Sequence, residues 1–233
     1  MSGSVAPKIV KDGLVLYLDV ANKYSYTSGS TIWYDLSKKN NNGTLVNNPN
    51  FSSTNKGNIV FDGIDEFVTF PVTSDFLFLG TSPYTLSVFA KINNANSTFQ
   101  GLINREYGAP RNGYNMWFYR DNPSNVAIAS ERFAGTGQKV AFVILDNAKC
   151  INVWNHYCVT FDGTNLNFYL NGEFKNGMVA TGNITNTLGT LQIARRQTDY
   201  GNCSIASTQI YNKSLSSQEI LQNYNSLKNR FGL

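Results

Sequence analysis

The chain has 233 residues, of which 42% are hydrophobic, 13% aromatic and 15% charged, with a formal net charge of +4. That composition excludes a charge-rich disordered chain and a coiled coil, and it supplies enough apolar residues for the core of one large all-β domain. The mild basicity, with no Lys/Arg run beyond Arg195-Arg196, gives no nucleic-acid footprint, and no segment approaches the ~20 apolar residues of a membrane span.

In chain order, residues 1–11 carry neither an apolar pattern nor a hydrophobic signal core, so they are expected to form an arm free to dock on a partner. Leu14–Asp19 reads as the first strand. Runs of β-type residues follow at 58–61, 67–70, 85–91, 101–105, 115–119, 126–130, 140–145, 156–161, 167–170, 191–194 and 204–211. Asn-, Gly- and Ser-rich clusters separate them about every ten residues, the spacing of a sandwich or jelly roll. Asp162-Gly163 and Asn171-Gly172 offer the positive φ values of tight hairpins, which predicts a three-stranded meander reaching Lys175. One helix is expected near the C-terminus. Ser216 with Glu219 three residues on makes a capping box, Ile220, Leu221, Tyr224 and Leu227 follow at helical spacing, and Gly232 lies past the end. Cys150, Cys158 and Cys203 form no C-x-x-C pair and, with the single histidine His156, are too few for a structural zinc site; they read as small buried hydrophobes.

Several local patterns line up in order. These are Gly13-Leu14-Val15-Leu16-Tyr17-Leu18-Asp19, Trp33-Tyr34-Asp35-Leu36-Ser37, Asn41-Asn42-Gly43-Thr44-Leu45 and Ile59-Val60-Phe61-Asp62-Gly63. Near the end come Trp154-Asn155-His156 with Thr160-Phe161-Asp162-Gly163, Phe168-Tyr169-Leu170-Asn171-Gly172, and Ile210-Tyr211-Asn212 with Leu215-Ser216 and Glu219-Ile220. Together they resemble the laminin-G-like, concanavalin A-like jelly-roll domain family, of the stand-alone type common in tailed-phage virion proteins. The resemblance implies an all-β fold: a concanavalin A-like jelly-roll β-sandwich of two antiparallel sheets with one short C-terminal helix. It implies a single domain over residues 12–233, with first and last strands adjacent. It further implies a non-enzymatic structural or adhesive module on a virion: a capsid decoration, head fibre or tail-fibre component. Its partners would be other virion proteins or cell-surface glycans, met through a homo-oligomer or multicopy assembly. Neither nucleic acid nor membrane insertion is expected. A lectin module outside a viral context, in an extracellular setting, is the alternative. Ser207 stands where relatives often carry an acid, so no calcium site is carried over from the family.

The residues themselves point to a binding face. Strand alternation puts Asn115, Trp117 and Tyr119 on one side and the more apolar pair Met116 and Phe118 on the other, which should face inward. Outward Trp117 and Tyr119 could then stack on sugar rings, with Asn115, Arg105, Arg111 and Arg132 supplying hydrogen bonds. The competing expectation is that these aromatics are covered by a loop or a neighbouring subunit. Asp62, Asp65 and Glu66 crowd one turn; calcium, which takes 6–8 oxygens, is their functional reading and a solvated turn the plain one. No cofactor is otherwise implied. Glycan hydrolysis with retention needs two carboxyl groups about 5–5.5 Å apart. No Glu-x-Asp-x-Glu motif occurs, so a hydrolase would need a cross-strand pair such as Glu106 with Glu131, and an enzyme is not expected. His156 reads as a half-buried structural residue, and Arg195-Arg196 as solvated loop charge.

Overall fold

The computed structural model describes residues 7–96, 98–108, 111–134, 137–185 and 188–233. In chain order the strands are β1 (Leu14–Asp19), β2 (Ile32–Trp33), β3 (Gly43–Val46), β4 (Asn50–Ser52), β5 (Asn58–Asp62), β6 (Phe67–Thr69), β7 (Tyr84–Ile92), β8 (Gln100–Tyr107) and β9 (Asn112–Asn122). They continue with β10 (Asn125–Phe133), β11 (Gln138–Asp146), β12 (Trp154–Phe161), β13 (Asn165–Leu170), β14 (Glu173–Val179), β15 (Gln192–Ile193), β16 (Arg195–Arg196), β17 (Asp199–Tyr200) and β18 (Asn202–Tyr211). Two α-helices accompany them, α1 (Asn147–Cys150) and α2 (Ser217–Leu227).

Two eight-stranded antiparallel sheets form a sandwich. The first runs β14-β13-β12-β7-β18-β5-β4, with β1 also on β18, and the second runs β11-β10-β9-β8-β15-β6-β3-β2. The irregularity at residues 205–207 lets β18 pair β5 along its first half and β1 along its second, so the first and last strands are neighbours. The Asp162-Gly163 and Asn171-Gly172 turns join β12, β13 and β14 into the expected meander, with Asn171 and Gly172 both at positive φ, 53° and 83°. Strands β2, β3, β4 and β17 lie in loop-like sequence whose Asn and Ser content hides them.

Alternation decides the layers. Tyr157, Val159 and Phe161 of β12, Leu86 and Val88 of β7, and Met116 and Phe118 of β9 meet between the sheets in the main core. Their neighbours on the first sheet, Phe89, Cys158, Tyr169 and Tyr211, face outward into a second apolar layer beneath α2. Ile9 and Val10 join that layer. The Val10 amide donates to Asn223 Oδ1 at 2.9 Å, and the Tyr211 hydroxyl donates to the Val10 carbonyl at 3.1 Å. Residues 7–11 are thus packed on the chain's own helix instead of standing clear for a partner; residues 1–6 lie outside the described residues. All three cysteines are free and buried.

Helix α2 starts as its sequence dictates: Ser216 Oγ accepts from the Glu219 amide, and Glu219 reaches back to the Ser216 amide. Its buried face is Ile220, Asn223 and Leu227, however, while Leu221 is 45% exposed. Asn223 displaces Leu221 because its amide is needed to bind the Val10 backbone and the Tyr211 hydroxyl. Ser216→Ala is expected to cost about 1 kcal/mol, visible as a lower urea midpoint with an unchanged m-value.

Candidate functional site

The outer face of the second sheet carries the site. On β9, Tyr114, Met116 and Phe118 point into the core, so Asn115, Trp117 and Tyr119 point out, as alternation requires. Opposite them on β10 stand Glu131, Ala129 and Ala127, and beyond those on β11 stand Val140, Phe142 and Ile144. Phe99, just before β8, folds over the same face and meets Trp117 edge-on at 4.8 Å and Tyr119 at 5.1 Å between ring centroids. A hollow of about 360 Å3 opens there, lined chiefly by Phe99, Trp117, Tyr119, Asp121, Glu131 and Phe142. Trp117 is its floor, only 5% exposed, and its Nε1–H finds no acceptor among the described residues. Phe99 and Phe142 form walls with 41% and 43% exposure. The Tyr119 hydroxyl donates to Asp121 at 3.1 Å; burial first, and this bond second, raise its pKa.

A polar row runs beside the hollow. The Asn115 amide donates to both Glu106 and Glu131, so the cross-strand carboxylate pair that a hydrolase would need does come together. Arg196 donates to Glu131 at 3.0 Å, Gln138 donates to the other Glu131 oxygen, and Gln197 donates to Glu106. Arg111 stands 3.7 Å from Glu106 and lines, with Gln197 and Gly108, a second hollow of about 260 Å3. The Glu106 and Glu131 side chains are only 1% and 2% exposed. Their oxygens are taken by the chain's own donors, which is the arrangement of a satisfied buried network.

Arg196 and Gln197 were not legible as site residues. The Arg195-Arg196 pair is not solvated loop charge. Arg195 lies over the rings of Phe67 and Tyr200, and Arg196 is buried over Phe99 at 5.0 Å and Trp117 at 5.9 Å. The β16–β17 hairpin reaches them only because Gly101 has no side chain; a Cβ there would stand 2.2 Å from the Arg195 carbonyl carbon.

Arg105 and Arg132, expected at this face, do not reach it. Arg105 pairs in register with Tyr114, and so does Arg132, so both side chains turn to the opposite face from Trp117. Arg132 donates to the Gly80 carbonyl at 2.7 Å and lies over Phe161 at 4.2 Å. Burial lowers the pKa of both guanidinium groups. Arg111 alone of the three expected arginines stays at the outer face.

The Asp62–Glu66 turn is held by its own bonds. Asp62 Oδ1 accepts from the Ile64 amide and Glu66 Oε2 from the Asp62 amide, both at 2.8 Å. Burial raises the Glu66 pKa. With Asp65 the three acids do not converge, and among the described residues no group of three or more His, Cys, Asp or Glu side chains is placed to hold a metal ion. His156 is more buried than expected, 0% exposed, on the outer face of the first sheet and far from this row in the fold.

No curated protein sequence matches the chain. Among solved structures it is similar to the binding domain of Paraclostridial Mosquitocidal Protein 1, with TM-score 0.72 and 18% identity over 93% of this chain and 52% of that one. It is also similar to the botulinum neurotoxin serotype D binding domain (TM-score 0.65, 16% identity, 92% of this chain and 52% of that one). A third is the binding domain of botulinum neurotoxin DC in complex with SialylT (TM-score 0.68, 17% identity, 93% and 52%). The chain spans about half the length of each, and at these identities the likeness is one of fold. Residues 62–221 match the family described as the concanavalin A-like lectin/glucanases superfamily, well over half of the chain, and to that family this protein belongs.

Proposed function

We propose that the protein is a carbohydrate-binding module that takes a sugar chain on the outer face of its second sheet. The observation that carries this reading is the hollow itself. Aromatic side chains form its floor and walls, and hydrogen-bonding groups of Tyr119, Asp121 and Gln138 stand at its margin. A pyranose presents an apolar C–H face and a rim of hydroxyls, which such a surface complements. One shallow hollow gives weak binding. Display in many copies, as on a virion surface, would convert it into firm attachment, and the expectation of a virion adhesin is kept in that form. The buried, fully bonded state of Glu106 and Glu131 favours binding over hydrolysis.

The test is titration of the purified chain with oligosaccharides chosen from a glycan array, together with Tyr119→Ala and Phe142→Ala. Both side chains are partly or largely exposed, so the fold should survive. Each truncation should weaken binding about tenfold, the loss of about 1–2 kcal/mol of aromatic contact. A wild-type chain that binds no oligosaccharide overturns the proposal. Cleavage of a polysaccharide that stops on Glu131→Gln or Glu106→Gln would move the site to the hydrolytic alternative.

A further inference from the structure

The charge lining the hollow narrows its ligand, on the footing of the binding reading above. Among the described residues that line it are two carboxylates, Asp121 and Glu131, and no Lys or Arg. Glu131 is already answered by Arg196 at 3.0 Å. Asp121 is not: it is exposed, its hydrogen bonds come from neutral donors, the Tyr119 hydroxyl and the Asn122 amide, and no ion pair reaches it among the described residues. The hollow therefore keeps one uncompensated negative charge at its mouth.

The rings add to this. Phe99, Trp117 and Tyr119 meet one another at 4.8–5.5 Å. Their faces attract cations, and the chain uses two of them in that way, since the Arg196 guanidinium lies over Phe99 and Trp117. Tyr119 is the ring of the three that no cation of the chain covers among the described residues, and it is hydrogen-bonded to Asp121. An aromatic face and a free carboxylate so joined suit a ligand that carries a positive charge beside an apolar ring face.

We propose that the hollow sorts glycans by charge. A sugar with a free amine, a hexosamine unit, binds best. Its N-acetylated neutral counterpart binds less well, and a carboxylate-bearing sugar binds least. The amine pairs with Asp121 while the ring lies on Tyr119. An acidic sugar brings its carboxylate to the same place and meets repulsion with no guanidinium or ammonium to offset it.

The experiment compares glucosamine oligosaccharides with N-acetylglucosamine oligosaccharides of equal length, and lactose with sialyllactose, by titration calorimetry at about pH 6, where a sugar amine is protonated. The expected result is about threefold to tenfold tighter binding of the amine form at low salt, as exposed ion pairs and cation–π contacts allow. That difference should shrink in high salt and vanish in Asp121→Asn, in which the amine and N-acetylated forms should bind alike. Equal binding of both forms, or a difference that survives Asp121→Asn, overturns charge sorting and leaves the carbohydrate reading intact. Tighter binding of sialyllactose than lactose does the same. Absence of binding to all four probes overturns charge sorting, and the array titration then decides the carbohydrate reading on its own.

Discussion

Arg196→Ala is expected to destabilise the protein by about 3 kcal/mol or more, because it strands the Glu131 carboxylate in a site where the side chain is 2% exposed. The remaining donors, Asn115 and Gln138, are neutral amides and offset only part of the lost charge. Urea denaturation gives the value directly, and a double-mutant cycle identifies its source. In a Glu131→Gln background the same Arg196→Ala change should cost much less, since no buried charge is left behind. A cost below about 1 kcal/mol in the wild type would mean that the pair is solvated and that the polar row is not the buried network described above.

The same substitution separates scaffold from contact surface. Arg196 is buried against the rings of Phe99 and Trp117, so Arg196→Ala should loosen the hollow and lower glycan affinity together with stability. Phe142, 43% exposed, should lower affinity when truncated with little change in stability. Two variants that touch one site should therefore move two observables in different proportions. A purely structural role for the face predicts no affinity to lose in either.

How much of this was visible beforehand follows from the range of each interaction. Alternation along β9 is a property of consecutive residues, so Asn115, Trp117 and Tyr119 could be assigned to one face without knowing any neighbour. The Ser216–Glu219 box and the Asn171-Gly172 turn are equally local. Placing Arg105 and Arg132 at the outer face failed for different reasons: Arg132 shares a face with Val126 and Ile128 by unbroken alternation along β10, which already turns it inward. Arg105 follows an irregularity between Gly101 and Ile103, which resets the alternation that the linear pattern would continue. Arg196 failed for another reason: its partner Glu131 is 65 residues away, and nothing near Arg196 in sequence distinguishes a buried guanidinium from a solvated one. The Glu106–Glu131 pair could be named as a candidate but not decided. What bears on it is the set of donors around it, drawn from β9, β11 and the β16–β17 hairpin.

His156 should carry a large effect of acid on stability. Its ring is fully buried between the first sheet and the C-terminal segment, stacked on Phe89 at 4.6 Å and near Tyr224 at 5.9 Å. The Ser87 hydroxyl gives its only proton to Gln209 Oε1, so it must accept from His156 Nε2–H at 2.8 Å. That fixes the neutral tautomer and leaves Nδ1 bare, with no partner among the described residues. Burial accordingly pulls the His156 pKa down to about 3, against about 6.5 in the unfolded chain. Between those values the unfolded state binds a proton that the folded state refuses, so stability is full above about pH 6.5 and declines as the pH falls toward 3. The total loss from this one group is on the order of 5 kcal/mol. His156→Gln keeps an N–H for Ser87 but cannot titrate. It should be less stable than the wild type at neutral pH, because it gives up the ring contacts with Phe89 and Tyr224, yet lose less stability on acidification. Urea midpoints measured from pH 7 down to about pH 4 would show the two curves converging. Parallel curves would mean that acid reaches the fold through its carboxylates and that the histidine is hydrated in the native state.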